Sequence, residues 1–344
     1  MTSEPPRVAD APLVVLAPNW LGDAVMALPA IADVRRALPS GSLAVAARPS
    51  VAPLFDLVPG VDHVVTLERG RWRLRPASLQ AGAFQTALLF PNSLQAALLA
   101  RQAGIPSRWG YRTDCRAALL TRAVDPPSAL HQVDYYRTLV RELGFPNGDP
   151  EPRLVVPADA KAAAAALLQS RGWDARRHVA AIAPGAAYGG AKRWPPSSFA
   201  GFAAACTGDG VDVAMIGSSA DRGTADEVVR AFQRVRGTGR TDAALLDLVG
   251  ATDLPTLTGI LVLSRSLVTN DSGAMHLAAA VGTPVTAVFG PTNEQATRPI
   301  GAAHTIVTGD AWCRPCMLRE CPLDHRCMRS IEVAPVLAAA RRSL

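Results

Sequence analysis

Aromatic residues are scarce in this chain of 344 residues: Phe, Trp and Tyr together make up 5%. With so few rings and no recognised RNA- or DNA-binding motif, a nucleic-acid partner is not expected. Long apolar runs are missing too. Ala162–Leu168 and Leu261–Leu263 both stop well short of the roughly 20 residues that span a bilayer. The start, MTSEPPRVAD, is polar, carries two prolines and lacks the basic-then-apolar pattern of a secretory signal. A soluble, cytoplasmic protein is expected. The nucleotide-binding spacing G-x-x-x-x-G-K-[ST] is also absent, which excludes a P-loop.

What is present describes a folded chain. Hydrophobic residues make up 49% and charged residues 19%, the balance of a globular protein long enough for two domains. The net charge of +6 and pI near 9.3 suit anionic partners, or else a merely solvated basic surface. One stretch is sharper: Arg69-Gly-Arg71-Trp-Arg73-Leu-Arg75 sets four arginines around a tryptophan. It reads either as a loop that touches an anionic membrane surface or phosphorylated acceptor, or as a solvated turn.

Strand and helix patterns alternate along both halves. In the first, Pro12–Ala17, Ser42–Ala47, His63–Leu67 and Ala87–Phe90 read as strands, and Asp23–Leu38 and His131–Leu143 as helices. Pro91-Asn92-Ser93 opens a further helix, with Ser93 or Asn92 as its cap. Pro146–Pro152 is dense in turn residues and is the expected linker, giving domains 1–150 and 151–344. In the second half the strands are His178–Ala183, Val211–Ile216, Asp247–Val249, Ser266–Thr269 and Pro284–Phe289. Between them fall the helices Ser197–Cys206, Ala220–Arg234, Leu254–Leu263 and Gly273–Val281. This rhythm predicts an α/β chain of two Rossmann-like domains with parallel sheets facing a cleft, and draws attention to the loops that follow strands.

Three such loops carry unusual chemistry. Pro18-Asn19-Trp20-Leu21-Gly22-Asp23 follows the first strand and puts a carboxylate at a helix N-terminus. Read alone, Asp23 is either an acid favoured by the helix dipole or a general base. Pro184-Gly185 through Gly189-Gly190-Ala-Lys192-Arg193-Trp194-Pro195 offers backbone amides and a lysine to a phosphate. Thr269-Asn-Asp271-Ser272-Gly273-Ala-Met-His276 opens a helix whose free amides form an anion site, or else is a plain cap with a packed histidine. Two phosphate-friendly loops at strand ends of one sheet suggest a diphosphate held between them.

Taken together, N-W-L-G-D, P-G-A-x-x-G-x-A-K-R-W-P and T-N-D-S-G-x-M-H-x-A-A-A followed by V-F-G-P-T resemble the ADP-heptose:lipopolysaccharide heptosyltransferases of glycosyltransferase family 9, type II above all. Pro91-Asn92-Ser93, Ala103-Gly-Ile-Pro106 and Gly110-Tyr-Arg112 extend the resemblance through the first half. It implies a GT-B fold, with an N-terminal acceptor domain and a C-terminal donor domain. It implies inverting transfer of heptose from ADP-heptose to a heptose on Kdo–lipid A of the lipopolysaccharide inner core, at the cytoplasmic face of the inner membrane. Asp23 would be the general base; Gly185, Lys192, Ser272 and Gly273 would hold the diphosphate, and Asp271 the donor sugar, with His276 nearby. Asn19, Gly22, Asn92, Ser93 and Arg112 are the acceptor-side candidates. No D-x-D pair is present to bind Mg²⁺ with a nucleotide sugar, so metal-independent transfer without a required cofactor is expected. Transfer to another glycolipid or glycan acceptor, or nucleotide-sugar binding without catalysis, are the competing readings.

The remaining motif lies near the end. Cys313, Cys316, Cys321, His325 and Cys327 fall within residues 313–327 and have the composition of a zinc or iron–sulfur site, or of thiols in a packed loop. The spacing is not that of a two-knuckle zinc ribbon. Cys115 and Cys206 read as core thiols.

Overall fold

The computed structural model describes residues 11–68, 75–236 and 241–344. Most of the arginine-rich stretch, residues 69–74, lies outside them. The chain divides into two compact units, Met1–Val155 and Val156–Leu344.

In the first unit the strands are β1 (Leu13–Leu16), β2 (Leu43–Ala47), β3 (His63–Thr66), β4 (Thr86–Leu89), β5 (Ser107–Tyr111) and β6 (Arg122–Val124). They form one parallel sheet in the order β3-β2-β1-β4-β5-β6, with Leu13 opposite both Leu43 and Thr86. The central strands LVVL, LAVAA and TALL are buried along their whole length, as strands covered by helices on both faces must be. The edge strands β3 and β6 are half-buried. Where the sequence suggests one helix over Asp23–Leu38, there are two, Leu21–Met26 and Leu28–Ala37, divided at Ala27. Pro29 has no N–H to continue the first helix but suits the opening turn of the second. Ser93 is the cap of helix Leu94–Gln102, its Oγ accepting from the Ala96 amide at 3.3 Å.

The second unit repeats the plan with β7 (Val179–Ala183), β8 (Asp212–Met215), β9 (Leu245–Asp247), β10 (Ser266–Asn270), β11 (Val285–Phe289) and β12 (Thr305–Thr308), again all parallel. Their order is β12-β11-β10-β7-β8-β9. Strand β9 begins before the expected Asp247–Val249, and β12 was not foreseen. Trp194, Phe199 and Phe202 anchor the core on one face, packed with Met328 and Val336 from the end of the chain. Helices Ala158–Ser170 and Leu254–Leu263 touch at Gly259, where a Cβ would run into the Ala160 carbonyl and the Ala164 methyl.

Counted from its own first strand, each sheet has the order 3-2-1-4-5-6. The direction of winding reverses between β1 and β4 and again between β7 and β10. Parallel sheets bind ligands beyond the carboxyl ends of the strands at such a reversal. Those ends carry the loops singled out by the sequence.

Candidate active site

In the first unit, β1 runs into the helix Leu21–Met26, with Gly22 and Asp23 in its first turn and Asn19 exposed just before it. Asp23 is half-buried and lies close enough to Tyr136, on helix Gln132–Glu142, to act on its ionisation. Burial is the main cause holding the Tyr136 hydroxyl protonated well above its ordinary range, and the Asp23 carboxylate adds to it.

The loop after β4 is held by hydrogen bonds from several sides. Asn92 Nδ2 donates to the Tyr135 hydroxyl at 2.9 Å, and the Asn92 carbonyl accepts from Thr113 Oγ1 at 2.9 Å. The Leu94 amide donates to Asp114 Oδ2 at 2.6 Å. Beneath them lies Arg116, completely buried. It donates to the Tyr111 carbonyl at 2.9 Å and to the carbonyls of Pro91 and, at 3.4 Å, Ser93, while its remaining terminal nitrogen has no partner within the protein. Burial brings its guanidinium down to about 10. Asn92 and Ser93 are therefore brought together in a rigid loop. Arg112 is not part of it: exposed, it pairs with Asp125 at 3.3 Å.

In the second unit the loop after β7 ends in a short turn, Gly190–Lys192, that carries the lysine back over the end of β10. Lys192 Nζ lies 2.5 Å from Asp271 Oδ2 and 4.6 Å from the centre of the Tyr188 ring. The same Asp271 oxygen accepts from Thr292 Oγ1 at 2.7 Å, so one carboxylate ties together the loops after β7, β10 and β11. Asn270 locks the arrangement from below. Its carbonyl oxygen accepts from the Trp194 amide at 2.8 Å, and its amide donates to the Pro184 and Gly185 carbonyls at 2.8 and 3.2 Å.

Ser272 is the N-cap of helix Gly273–Ala280, yet its side chain makes no capping bond. Its hydroxyl meets Thr269 Oγ1 at 3.0 Å instead. The amides opening this helix are thus left uncapped by their own serine, as an anion site requires. His276 is buried in the following turn. Gly185 has a second use besides close approach to a ligand, because a Cβ there would strike the Asp221 carboxylate. Asp221 in turn closes a capping box with Ser218.

Among the described residues no three His, Cys, Asp or Glu side chains are grouped to hold an ion. All thiols of the cysteine-rich segment are free, with Cys313, Cys316 and Cys321 half-buried and Cys327 buried. Burial pushes the Cys327 thiol up, and the nearby Cys313, Cys316 and Cys321 push it further. Of the other two, Cys206 is a core thiol as expected, whereas Cys115 is exposed. Among the described residues no helix is long and apolar enough to cross a membrane.

Tyr135, Thr113, Asp114, Arg116, Tyr188 and Asp221 had no individual signal in the sequence. Asn270 and Thr292 did, as members of the T-N-D-S-G and V-F-G-P-T stretches.

Known proteins match this arrangement. The chain is 29% identical over 308 residues to lipopolysaccharide heptosyltransferase 2 of Salmonella typhimurium, covering 86% of this chain and 87% of that one. The solved structure of Escherichia coli ADP-heptose lipopolysaccharide heptosyltransferase II superposes with a TM-score of 0.80 at 26% identity, over 96% of this chain and 98% of that one. The fold agrees also with Escherichia coli heptosyltransferase WaaC bound to ADP, at a TM-score of 0.68 and 17% identity, over 96% and 97%. The family described as Glycosyltransferase family 9 (heptosyltransferase) matches residues 71–326, most of the chain. Two parallel Rossmann-ordered sheets, of the GT-B type, with the chemistry-bearing loops at their points of reversal, thus make this chain a member of glycosyltransferase family 9, the heptosyltransferases.

Proposed function

We propose that the protein transfers heptose from ADP-heptose to a heptose of the lipopolysaccharide inner core, with inversion at the anomeric carbon. The observation that carries this reading is the Lys192–Asp271 pair beside the uncapped start of helix Gly273–Ala280. A cation and a set of convergent amides suit a diphosphate. The relatives named for heptosyltransferase 2 favour a lipopolysaccharide acceptor, and the WaaC structure carries ADP.

In the first unit Asp23 takes the proton of the acceptor hydroxyl as its oxygen bonds to the anomeric carbon. The bond from that carbon to the β-phosphate oxygen breaks, and the electron pair leaves with ADP. Lys192 and the amides of Ser272 and Gly273 meet the charge that builds on the phosphate, where preorganised donors act most strongly. Asp271 has two tasks: it presents Lys192, and its other carboxylate oxygen is offered to the hydroxyls of the donor sugar. Because fixed cations and amides supply the neutralisation, and the sequence has no D-x-D pair, no divalent ion is required. Asn92 and Ser93 contribute to the acceptor side of the first unit. The basic balance of the chain, +6, supports contact with an anionic membrane surface where such an acceptor resides.

The test is ADP release by the purified protein, with and without heptosylated Kdo–lipid A. Acceptor-dependent release with a heptose-sized mass gain on the lipid is the expected result. Release that ignores the acceptor, or none at all, overturns the assignment.

A further inference from the structure

The four residues between Cys316 and Cys321 grip the glycine-rich loop in three places. The Tyr188 hydroxyl donates to the Met317 carbonyl at 2.9 Å, the Ala191 amide to the Arg319 carbonyl at 3.0 Å, and the Gly190 amide to Glu320 Oε1 at 3.1 Å. Gly189, with a φ of 157°, lies so close to the Arg319 backbone that a Cβ there would collide with its carbonyl. The Arg319 guanidinium sits 5.1 Å from the centre of the same Tyr188 ring that Lys192 approaches. The segment is itself anchored on the next loop: the Met317 amide donates to the Pro291 carbonyl at 2.9 Å, and Arg314 donates to the Gly290 carbonyl and Glu294 at 2.6 and 2.9 Å.

A loop rich in glycine has many conformations to lose, and Lys192 stands at its end with a flexible stem. The three hydrogen bonds to this loop fall on Tyr188, Gly190 and Ala191, directly before Lys192. We propose that Met317–Glu320 is a strap that positions the glycine-rich loop and, through it, Lys192, so that the cysteine-rich segment serves donor binding. Tyr188 and Glu320 are then positioning residues. The inference rests on reading this loop as the diphosphate site.

The experiment is a double-mutant cycle on the full chain, read by ADP affinity. Glu320→Ala should weaken ADP about tenfold when Lys192 is present, and less than about twofold in a Lys192→Ala background, because coupled positions are not additive. Glu320→Gln keeps an acceptor oxygen for the Gly190 amide and should restore affinity. The KM for donor should rise while that for acceptor stays put. Equal losses in both backgrounds, or no rescue by glutamine, overturn the strap as a positioning element. If Lys192→Ala leaves ADP binding intact, it is the donor-site reading that fails. Amide exchange at Gly190 and Ala191 then decides the strap alone: faster exchange in Glu320→Ala with β7 unchanged supports it, and unchanged protection sinks it.

Discussion

Asp271 accepts from both Lys192 and Thr292 through a single carboxylate oxygen, at 2.5 and 2.7 Å. That shared oxygen joins the loops that open three crossover connections, after β7, β10 and β11. An incoming diphosphate would therefore meet a lysine already aimed and already half neutralised, and would compete with Asp271 for it.

Lys192→Ala should lower kcat by about 10²- to 10³-fold, the usual cost of losing one preorganised charge stabiliser, and weaken ADP and ADP-heptose together. Titration calorimetry with both ligands checks this. Unchanged affinity for both would remove Lys192 from the donor site.

Asp23→Asn keeps the size of the side chain and removes the base. Turnover should fall by about 10²- to 10⁴-fold while ADP-heptose affinity stays within a factor of about two. Loss of donor affinity instead would give Asp23 a structural task in the helix Leu21–Met26.

Arg116→Leu would strand the half-buried Pro91 carbonyl and take one donor from the Tyr111 carbonyl, which keeps the Thr113 amide at 3.0 Å. A destabilisation of about 1–3 kcal/mol in urea titrations is expected, from an acceptor left without its donor. Arg116→Lys should recover only part of it, since an ammonium cannot reach the Tyr111, Pro91 and Ser93 carbonyls as the guanidinium fork does. Full stability in the leucine variant would mean that the loop carrying Asn92 holds itself.

Thiol labelling of the native protein should find Cys115 first and leave Cys206 unreacted, because the former is exposed and the latter 1% accessible. Burial also raises the Cys206 thiol from 9.0 to about 12. A thiol whose pKa is raised on folding contributes stability below its unfolded value, and that contribution is lost as pH climbs through the folded one. Stability should thus decline between pH 9 and about 12, and Cys206→Ala should flatten that decline. A curve of the same slope in the variant would place the alkaline sensitivity elsewhere.

Buried central strands were legible in the sequence because parallel strands covered on both faces leave continuous apolar runs, as in LVVL, VAAIA and VTAVF. Three strands toward the sheet edges, β5, β6 and β12, were not. Strand β5 reads SRWGY, β6 is the three residues RAV, and β12 is half-buried, so none shows a run that stands out from a loop. The donor-side motifs could be read because their chemistry is local: the glycines, the lysine and the T-N-D-S-G stretch are each contiguous. What escaped was tertiary. Arg116 looks like any surface arginine until Gly110 lets its guanidinium in beneath the loop, and Glu320 lies 130 positions from the amide it holds.

Each sheet keeps all its ladder hydrogen bonds within its own unit, and the boundary at Val155–Val156 divides neither. Substitutions within the strands of one sheet therefore leave the backbone pairing of the other intact, and the reverse holds as well. On the division of labour proposed for the two halves, a lineage built on this chain could drift toward new acceptors in one half while selection on the sugar donor holds the other still.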